Sequence, residues 1–277
     1  MPSGEPIRRA AVLTHGRVEV IGPALGRLEA LARDAGVELL FPQEEAEKHG
    51  VEPVADLADA ELAIVLGGDG TMLRALQRFL GTGVPALGVN FGRVGFLASV
   101  RQDRFEEDLR RVFAGEFGVV ELPTLDVELD GRNATAVNDA VAASSILGRM
   151  IELSWAIGGE DLGRLPCDGL ICATPPGSTA YNLSNGGPVL MWGLDAMAVT
   201  FIAPHSLHAR PLVVPRHLRL EVENVTADVP VAVLTDGHPL GEIPPEGRAS
   251  IALGSQSSLL ATLPESTFFR RYRETFA

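Results

Sequence analysis

Glu61-Leu62-Ala63-Ile64-Val65-Leu66, continued by Gly67-Gly68-Asp69-Gly70-Thr71 and then by Met72-Leu73-Arg74-Ala75-Leu76, is the segment that organises this chain. An apolar run ends in glycines around one carboxylate, and helical spacing follows, which predicts a strand, a tight loop and a helix. Glycines let backbone N–H groups approach a phosphate at the start of a helix. Because a carboxylate repels phosphate, Asp69 indicates chemistry on a hydroxyl or a metal beside the phosphates. Its alternative role is that of a helix cap.

The composition is that of a folded protein that avoids polyanions. The chain has 277 residues, of which 46% are apolar and 21% charged, and its formal net charge is −13. An acidic surface repels nucleic acid and acidic membranes, so we expect neither as a partner. Among the basic residues only Lys48 is a lysine. No lysine therefore stands in a phosphate loop, which excludes a Walker-type nucleotide site.

Features that depend on the cellular compartment predict a cytoplasmic protein. Cys167 and Cys172 lie in what reads as one strand, whose alternating side chains would point to opposite faces, so we expect two reduced core thiols. The N-terminal residues lack an apolar signal core. The apolar stretch from Val189 to Ala203 contains Asp195 and is bracketed by prolines, so no membrane span is predicted.

The first part of the chain alternates strands with helices. Predicted strands at Arg9–Thr14, Val37–Phe41, Leu62–Leu66 and Val84–Asn90 alternate with helical segments, and an amphipathic helix follows at Asp103–Ala114. This order predicts an α/β domain with a doubly wound, mostly parallel sheet. In such sheets ligands lie at the carboxyl ends of strands. The glycine-aspartate loop lies at one such end, and the segment from Asn90 to Phe96 lies at another.

After Gly115 the pattern changes to short β-rich pieces about every ten residues, with little helix between them. This spacing predicts a β-rich, sandwich-like C-terminal domain. We therefore expect an α/β domain at 1–117, completed by 264–277, and an all-β domain at 118–263. The tail carries four aromatic residues at helical spacing and is expected to pack back on the first domain.

A second polar stretch runs from Cys167 to Pro188 and includes Thr174-Pro175-Pro176-Gly177-Ser178-Thr179-Ala180-Tyr181. A loop of this length and polarity is typically functional. Together with the glycine-aspartate loop, with Val137-Asn138-Asp139-Ala140 and with Pro204-His205-Ser206-Leu207, it resembles the NAD kinase family over nearly the whole chain. The first loop is shared with lipid kinases and phosphofructokinases, whereas the run from Thr174 to Tyr181 is far more specific.

The resemblance implies a phosphotransferase that uses ATP or polyphosphate to phosphorylate the 2′-hydroxyl of the adenosine ribose of NAD, giving NADP. It implies a divalent metal, with Mg²⁺ expected, although the sequence identifies no metal ligands. Asp69 would accept the proton of that hydroxyl. Gly67, Gly68 and Gly70 would cradle phosphates, and Arg74 and Arg149 would neutralise phosphate charge. The family's homodimers and homotetramers imply a homo-oligomer.

The remaining implied binding residues contact NAD. Asn138 and Asp139 would bind the nucleoside, Asp168 would bind the ribose or the nicotinamide end, and Phe96 and Ala203 would line the apolar part of the pocket. The adenine and ribose contacts would come from Thr179, Ala180, Tyr181, Asn182 and Ser184, with His238 as a further donor.

Two departures and two alternatives accompany this interpretation. Pro176 replaces a hydroxyl residue common in the family, and His238 stands where the family often has Gln. The alternative functions are another kinase with the same first loop, acting on a lipid or a sugar, and a non-catalytic NAD(P)-binding sensor. A His-x-x-His pair at His205 and His208 is interpreted as structural, because no third metal ligand accompanies it.

Overall fold

The structure is a computed structural model that describes residues 4–16, 18–54, 56–91 and 95–276. The chain divides into a first unit, Met1–Glu121 with Ser258–Ala277, and a second unit, Leu122–Ser257. Of the predicted polar segments, Gly92 to Val94 lie outside the described residues. No helix of the described part is both long enough and apolar enough to cross a lipid bilayer.

The elements follow one another in two stretches of different character. Up to residue 113 they are β1 (Arg9–Thr14), α1 (Val18–Ala35), β2 (Glu38–Leu40), α2 (Gln43–His49), β3 (Leu62–Gly67), α3 (Asp69–Arg78), β4 (Ala86–Asn90) and α4 (Phe105–Phe113). From residue 118 they are β5 (Gly118–Leu129), β6 (Arg132–Ala136), β7 (Asp139–Ser144), β8 (Ile151–Ile157), β9 (Glu160–Cys167), β10 (Gly169–Ala173), α5 (Tyr181–Ser184), β11 (Ala196–Ile202), β12 (Leu212–Pro215), β13 (Leu220–Asn224), β14 (Val231–Thr235), β15 (His238–Ile243), β16 (Arg248–Thr262) and α6 (Phe268–Phe276).

A parallel sheet forms the centre of the first unit. Its strand order is β2-β1-β3-β4, and the end of β16 joins β4 in parallel. Leu62, Ile64 and Leu66 of β3 pack with α1 and α4 on one face. On the other face α3 packs so closely that a Cβ added to Gly88 of β4 would lie 2.8 Å from the Met72 sulfur. Helices on both faces confirm the predicted doubly wound sheet.

The C-terminal helix α6 packs on the first unit, as predicted. The ring of Phe96 meets Phe268 edge to face at a centroid distance of 5.1 Å and stacks on Phe276 at 6.0 Å. Edge-to-face and offset arrangements are the favourable ones for aromatic pairs. Phe268 and Phe276 make this contact, whereas Phe269 and Tyr272 are exposed, so the aromatic spacing of the tail marks the docking face only in part.

The second unit is an antiparallel sandwich, which confirms the predicted β-rich class. Six strands form one layer in the order β12-β11-β10-β7-β14-β15, and β16, β13, β8 and β9 form neighbours in the other. Side chains from both layers, such as Leu153 of β8 and Leu170 of β10, share one buried cluster. Inward and outward residues alternate along β13 and β14, as expected where one face of a sheet is buried, whereas β10 is buried along its whole length.

Three local expectations differ from the structure. One of the β-rich pieces predicted after Gly115, Ala134–Ala142, is not a single strand: it splits into β6 and β7 and leaves Val137 and Asn138 between them. Cys167 ends β9 and Cys172 lies in β10, so they belong to different strands, and both are buried free thiols of the same core. Burial raises the pKa of Cys167 to about 12. Helix α2, with its acidic and irregular sequence, was not predicted.

Candidate active site

A topological switch point in the first unit creates a cavity. The connection from β1 leads to β2 on one side, whereas β3 lies on the other side of β1, so the connections diverge at the carboxyl ends of β1 and β3. Open α/β sheets bind ligands at such points. A cavity of about 400 Å³ lies there, lined by His15, Gly16, Gly68, Gly70, Thr71 and Arg74. The glycine loop and the start of α3 thus form one wall of a cleft large enough for phosphate groups.

Asp69 begins α3 but does not cap it. The cap position belongs to Gly68, with no side-chain cap bond. The Asp69 carboxylate instead accepts hydrogen bonds from the backbone N–H groups of Phe96 at 2.7 Å and Leu97 at 3.1 Å. The two bonds use different oxygens, and each carboxylate oxygen can accept more than one bond. The half-buried carboxylate is therefore fixed in orientation and keeps acceptor capacity.

Gly95 explains how the segment before Phe96 comes so close to Asp69. A Cβ added to Gly95 would lie 2.2 Å from Asp69 Oδ1 and 2.6 Å from its Cγ. Any other residue would collide with the carboxylate. The site therefore needs glycine at position 95 to keep the bonds to Asp69, and the backbone of Phe96, rather than its ring, serves the carboxylate.

A buried polar cluster supports the cationic side of the cavity. The guanidinium of Arg74 donates to the carbonyl oxygen of Thr14 at 3.0 Å. Behind it, Lys48 Nζ donates to the buried Glu45 carboxylate at 2.7 Å and to Thr14 Oγ1 at 3.1 Å. Burial lowers the pKa of the adjacent His49. The Lys48 ammonium is thus held by Glu45 and Thr14, and the cationic group that lines the cavity is the guanidinium of Arg74.

In the second unit, Asp236 holds the segment between β6 and β7. Its carboxylate accepts backbone N–H groups from Val137 at 2.7 Å, Asn138 at 2.7 Å and Asp139 at 3.1 Å. Its own N–H donates to the Asp139 carbonyl oxygen at 2.9 Å, and its φ is +50°. Three consecutive N–H groups on one carboxylate fix the backbone and hence the direction of the Asn138 side chain.

Asn138 and Asp139 both carry buried polar groups whose loss of solvation is not fully offset by hydrogen bonds or opposite charge. Within the described residues, Asn138 Oδ1 is buried without a hydrogen-bond partner. Burial, and secondarily the negative charge of Asp236, raises the pKa of Asp139 to about 6. A buried acceptor without a partner costs free energy unless a ligand or water satisfies it. The pair therefore has the properties of a ligand-binding site.

The loop after β10 folds onto the same segment. Thr174 Oγ1 donates to the Val137 carbonyl oxygen at 2.6 Å and accepts the Gly177 N–H at 3.1 Å. A Cβ added to Gly177 would lie 1.9 Å from the Asn138 carbonyl oxygen. Pro176 occupies a turn within this loop at φ −60°, a value that proline adopts without strain.

Asn182 has a supporting place in this loop. Its amide donates to the carbonyl oxygens of Ser178 at 3.1 Å and Pro188 at 3.0 Å, and its oxygen accepts the Thr200 hydroxyl at 2.7 Å. The side chain is fully buried. With both amide hydrogens and the oxygen engaged by protein groups, Asn182 holds the loop on the sheet.

The predicted NAD-binding residues of the second unit separate into two groups at opposite ends of one sheet. The antiparallel register pairs Ala173 with Asp139 and Gly169 with Ala143. At one end are Asn138, Asp139, Thr179, Ala180, Tyr181, Ser184 and His238, and at the other end are Arg149, Asp168 and Ala203. Five strand residues at about 3.4 Å each place Asp168 about 17 Å from Ala173.

Exposure differs among these predicted residues. The Tyr181 ring is 45% exposed, and Ser184, His238 and Asp168 are also exposed. Arg149 pairs with Asp228 at 2.7 Å. Ala203 has a φ of +43°, a left-handed conformation that is strained for a residue with a Cβ. Such strain is characteristic of functional segments.

Four residues of these polar centres were not assigned roles from the sequence, namely Gly95, Thr174, Gly177 and Asp236. Their partners lie far away in the sequence; Asp236, for example, bonds to residues 97 to 99 positions earlier. Thr174 and Gly177 lie in the specific run from Thr174 to Tyr181, and Asp236-Gly237 is a typical turn pair. That pair predicts a turn but not its partner.

Metal ligands are sparse in the described residues, where no group of three or more His, Cys, Asp or Glu side chains could hold an ion. His205 and His208 are therefore not part of such a group. Mg²⁺ bound with a nucleotide needs only one or two protein carboxylates, because phosphates and waters complete its shell. Asp69, which stands between the cavity-lining residues Gly68 and Gly70, fits that requirement.

A glycine loop at a switch point, a fixed carboxylate at the start of a helix and an arginine-lined cavity define a phosphotransferase that acts on nucleotides. Residues 10–117 match the family model for the ATP-NAD kinase N-terminal domain, and residues 137–263 match the model for the C-terminal domain. The chain belongs to the ATP-NAD kinase family.

Individual relatives agree with this assignment. The chain is 38% identical to the NAD kinase of Thermobifida fusca over 82% of this chain and 73% of the relative. It is 37% identical to NAD kinase 2 of Streptomyces avermitilis over 99% and 92%. Its fold matches an Archaeoglobus fulgidus NAD kinase in complex with ATP with a TM-score of 0.76 and 26% identity, covering 97% of each chain. It also matches yeast NADH kinase complexed with NADH, with a TM-score of 0.85, 21% identity and coverage of 98% and 88%.

Proposed function

We propose that this protein is an NAD kinase that transfers a phosphoryl group from ATP to the 2′-hydroxyl of the adenosine ribose of NAD, giving NADP. The observation that carries the proposal is the Asp69 carboxylate, which two backbone N–H groups fix at the start of α3, between the glycines Gly68 and Gly70 that line the cavity. Membership of the family supports the identity of both substrates.

Asp69 acts as the proton acceptor for the attacking hydroxyl. A carboxylate is a weak base toward an alcohol, so the proton leaves late, after the bond to phosphorus has begun to form. The bonds from Phe96 and Leu97 keep the carboxylate in one orientation, so that the hydroxyl is held in line with the phosphoryl group. Much of the rate enhancement then comes from positioning and from neutralisation of phosphate charge.

The start of α3 and Arg74 bind the phosphate groups. The first N–H groups of a helix lack partners within the helix and attract anions, and Gly68 and Gly70 permit close approach. Arg74 holds its guanidinium on the Thr14 carbonyl oxygen at the same cavity. A divalent metal, Mg²⁺ by our proposal, would be held by Asp69 together with the donor phosphates and would supply charge neutralisation.

NAD recognition is assigned to the second unit. Asn138 Oδ1 and the Asp139 carboxylate provide acceptors for ribose or adenine groups, and the Tyr181 ring offers a stacking face. Thr179, Ala180, Ser184 and His238 complete this group. Asn182 contributes by holding the loop in place. The predicted role of Phe96 in lining an apolar pocket stays a prediction, because its ring is buried against α6 within the first unit.

The separation of the two groups supports the proposal of a homodimer or homotetramer. Asp139 and Asp168 lie at opposite ends of one sheet, about 17 Å apart along its strands, so one copy cannot present both to the same nucleoside. A second copy that supplies Asp168, Ala203 and Arg149 would complete the pocket. Asn138→Arg and Asp168→Arg are expected to be inactive, because the added side chains would block NAD binding. Mixing these two proteins should then restore about a quarter of wild-type activity, since one site of each mixed dimer is intact. Recovery of no activity would argue against a shared site.

The two buried thiols are consistent with a reducing compartment, so we propose a cytoplasmic location. The function itself is tested by incubating purified protein with NAD and Mg²⁺, with either ATP or polyphosphate, and measuring NADP with an NADP-specific dehydrogenase. We expect NADP to form at a rate that depends on both the donor and the metal. No NADP with either donor would overturn the proposal.

A further inference from the structure

Arg271 of the C-terminal helix is buried, although most of that helix is exposed. Its side chain is 5% exposed. The guanidinium donates to the carbonyl oxygens of Phe96 at 2.9 Å and Ala98 at 2.6 Å, and to the Ser99 hydroxyl at 2.6 Å. A planar guanidinium with five donors can hold several acceptors in one fixed geometry. Arg271 therefore fixes the backbone of residues 96–99.

The same short segment holds Asp69 on its other side. Phe96 donates its N–H to the Asp69 carboxylate at 2.7 Å, and its carbonyl oxygen accepts the Arg271 guanidinium. Leu97 donates the second N–H to Asp69 at 3.1 Å. Arg271 and Asp69 are thus joined through one stretch of backbone, with Gly95 pressed against the carboxylate.

Charge supports this arrangement. Burial lowers the pKa of Arg271 to about 10, while the negative charges of Asp69 and Glu274 oppose that effect. Arg271 therefore remains protonated at neutral pH. A buried cation is tolerated only where acceptors and opposite charge compensate its desolvation. Here the compensating groups are the segment 96–99 and, at longer range, Asp69 itself.

We infer that Arg271 is a positioning residue for Asp69, which makes the C-terminal helix part of the catalytic apparatus. The inference rests on the proposed role of Asp69 as proton acceptor. Arg271 does not contact the reacting atoms; it fixes the donors that orient the carboxylate. Loss of this support would let the segment 96–99 shift, and a misplacement of about 1 Å at a reacting group can lower the rate about 100-fold.

The competing explanation is that Arg271 only fastens the tail to the first unit. That role would lower the melting temperature of the variants without changing turnover in the protein that remains folded. The two explanations differ in kcat at temperatures well below the melting transition, and in whether the effect of Arg271 depends on Asp69.

The primary experiment compares Arg271→Lys and Arg271→Met with the control Arg270→Met. Arg270 is the adjacent residue on the same helix and pairs with Glu274 at the surface. We expect kcat to fall about tenfold in the lysine variant and about 100-fold in the methionine variant, with KM for NAD and ATP within about twofold of wild type. The control should keep wild-type kcat. Unchanged kcat in folded Arg271→Lys would overturn the inference.

Ser99→Ala provides a milder variant that keeps Arg271 and removes only the Ser99 hydroxyl that its guanidinium contacts. We expect a severalfold lower kcat and near-wild-type circular dichroism, so this variant decides the question if the Arg271 variants do not fold. Unchanged kcat in Ser99→Ala would then count against the inference.

A double-mutant cycle separates this inference from the function on which it rests. In an Asp69→Asn background, Arg271→Lys should lower kcat by less than about twofold, because its effect acts through the carboxylate. A full tenfold effect in both backgrounds would contradict positioning. An active wild type with additive variants would refute only the role of Arg271, whereas an inactive wild type would refute the proposed function.

Discussion

Asp69 in the first unit and Asp236 in the second are both held by hydrogen bonds from backbone N–H groups, but their surroundings differ. Each carboxylate accepts backbone N–H groups from consecutive residues, two for Asp69 and three for Asp236. Asp69 stands at the start of a helix beside a cavity, whereas Asp236 fixes the segment that presents Asn138 and Asp139. The neighbouring groups, rather than the carboxylate itself, distinguish a reacting residue from a scaffold residue.

Exchanging each aspartate for asparagine should separate these roles most strongly. Asp69→Asn should lower kcat by about 10²–10⁴, the range of a general base, with NAD affinity near wild type. Asp236→Asn should raise KM for NAD and keep kcat at saturating NAD within about threefold, because it disturbs only the binding segment. Steady-state kinetics and calorimetric NAD titration check both. A wild-type kcat in Asp69→Asn would remove it from the mechanism.

Crowding the Asp69 carboxylate without removing it should have the next largest effect. The added methyl of Gly95→Ala would meet Asp69 Oδ1 at 2.2 Å, so the carboxylate or the segment must move. We expect kcat to fall about 100-fold. Gly26→Ala is the matched control, since its added Cβ has no neighbour within 4 Å among the described atoms. Equal rates for the two variants would show that the close contact does not orient Asp69.

The buried carboxyl group of Asp139, beside Asp236, should make the free energy of unfolding depend on pH. The pKa of Asp139 is raised from 3.8 to about 6 by burial and by Asp236. The stability that this raised pKa provides is present below about pH 4 and is lost as the pH rises through 6. Asp139→Asn cannot ionise, so at pH 7.5 it should be more stable than wild type by on the order of 2 kcal/mol, with no difference near pH 4.

Urea unfolding followed by tryptophan fluorescence measures that difference, because Trp155 and Trp192 both lie in the second unit. Glu160→Gln, at an exposed position, is the control and should show no such pH dependence. A stability difference for Asp139→Asn that does not change between pH 4 and pH 7.5 would contradict the raised pKa.

Removing the acceptor of Asn138 should have the smallest effect. Its buried Oδ1 lacks a partner among the described residues, so NAD binding should satisfy it. One hydrogen bond to a neutral group contributes about 1 kcal/mol, so Asn138→Ala should raise KM for NAD about five- to tenfold with kcat unchanged. Asn133→Ala, at an exposed position of strand β6, is the control and should bind NAD normally. A lower kcat in Asn138→Ala would place Asn138 closer to the reaction than proposed.

Local patterns were sufficient to predict the fold class. The apolar run before Gly67 is a fully buried strand, and the tail forms the predicted helix α6, in which Phe268 and Phe276 contact Phe96. These features follow from the periodicity of neighbouring residues. The ends of individual strands were less predictable. Val137 and Asn138 stand in a β-rich run and have no local signal that ends a strand. The strand is interrupted there because their N–H groups bond to the distant Asp236.

The residues of the candidate site could be predicted only where they belong to a short sequence motif. The type and place of Asp69 follow from its glycine loop. Gly95 contacts that carboxylate from 26 positions away in the sequence, and Arg271 contacts Phe96 from 175 positions away. Neither contact produces a local sequence pattern. The separation of Asp168 from Asn138 likewise depends on antiparallel register, which a single strand does not specify.

The position of the transferred phosphate tests the central claim most directly. Purified protein would convert NAD with ATP and Mg²⁺, and the product would be examined by phosphorus and proton NMR. A phosphomonoester coupled to the 2′-proton of the adenosine ribose is the predicted result, and Asp69→Asn should yield almost none of it. A phosphate on the 3′-oxygen, or on the nicotinamide ribose, would contradict the proposed reaction.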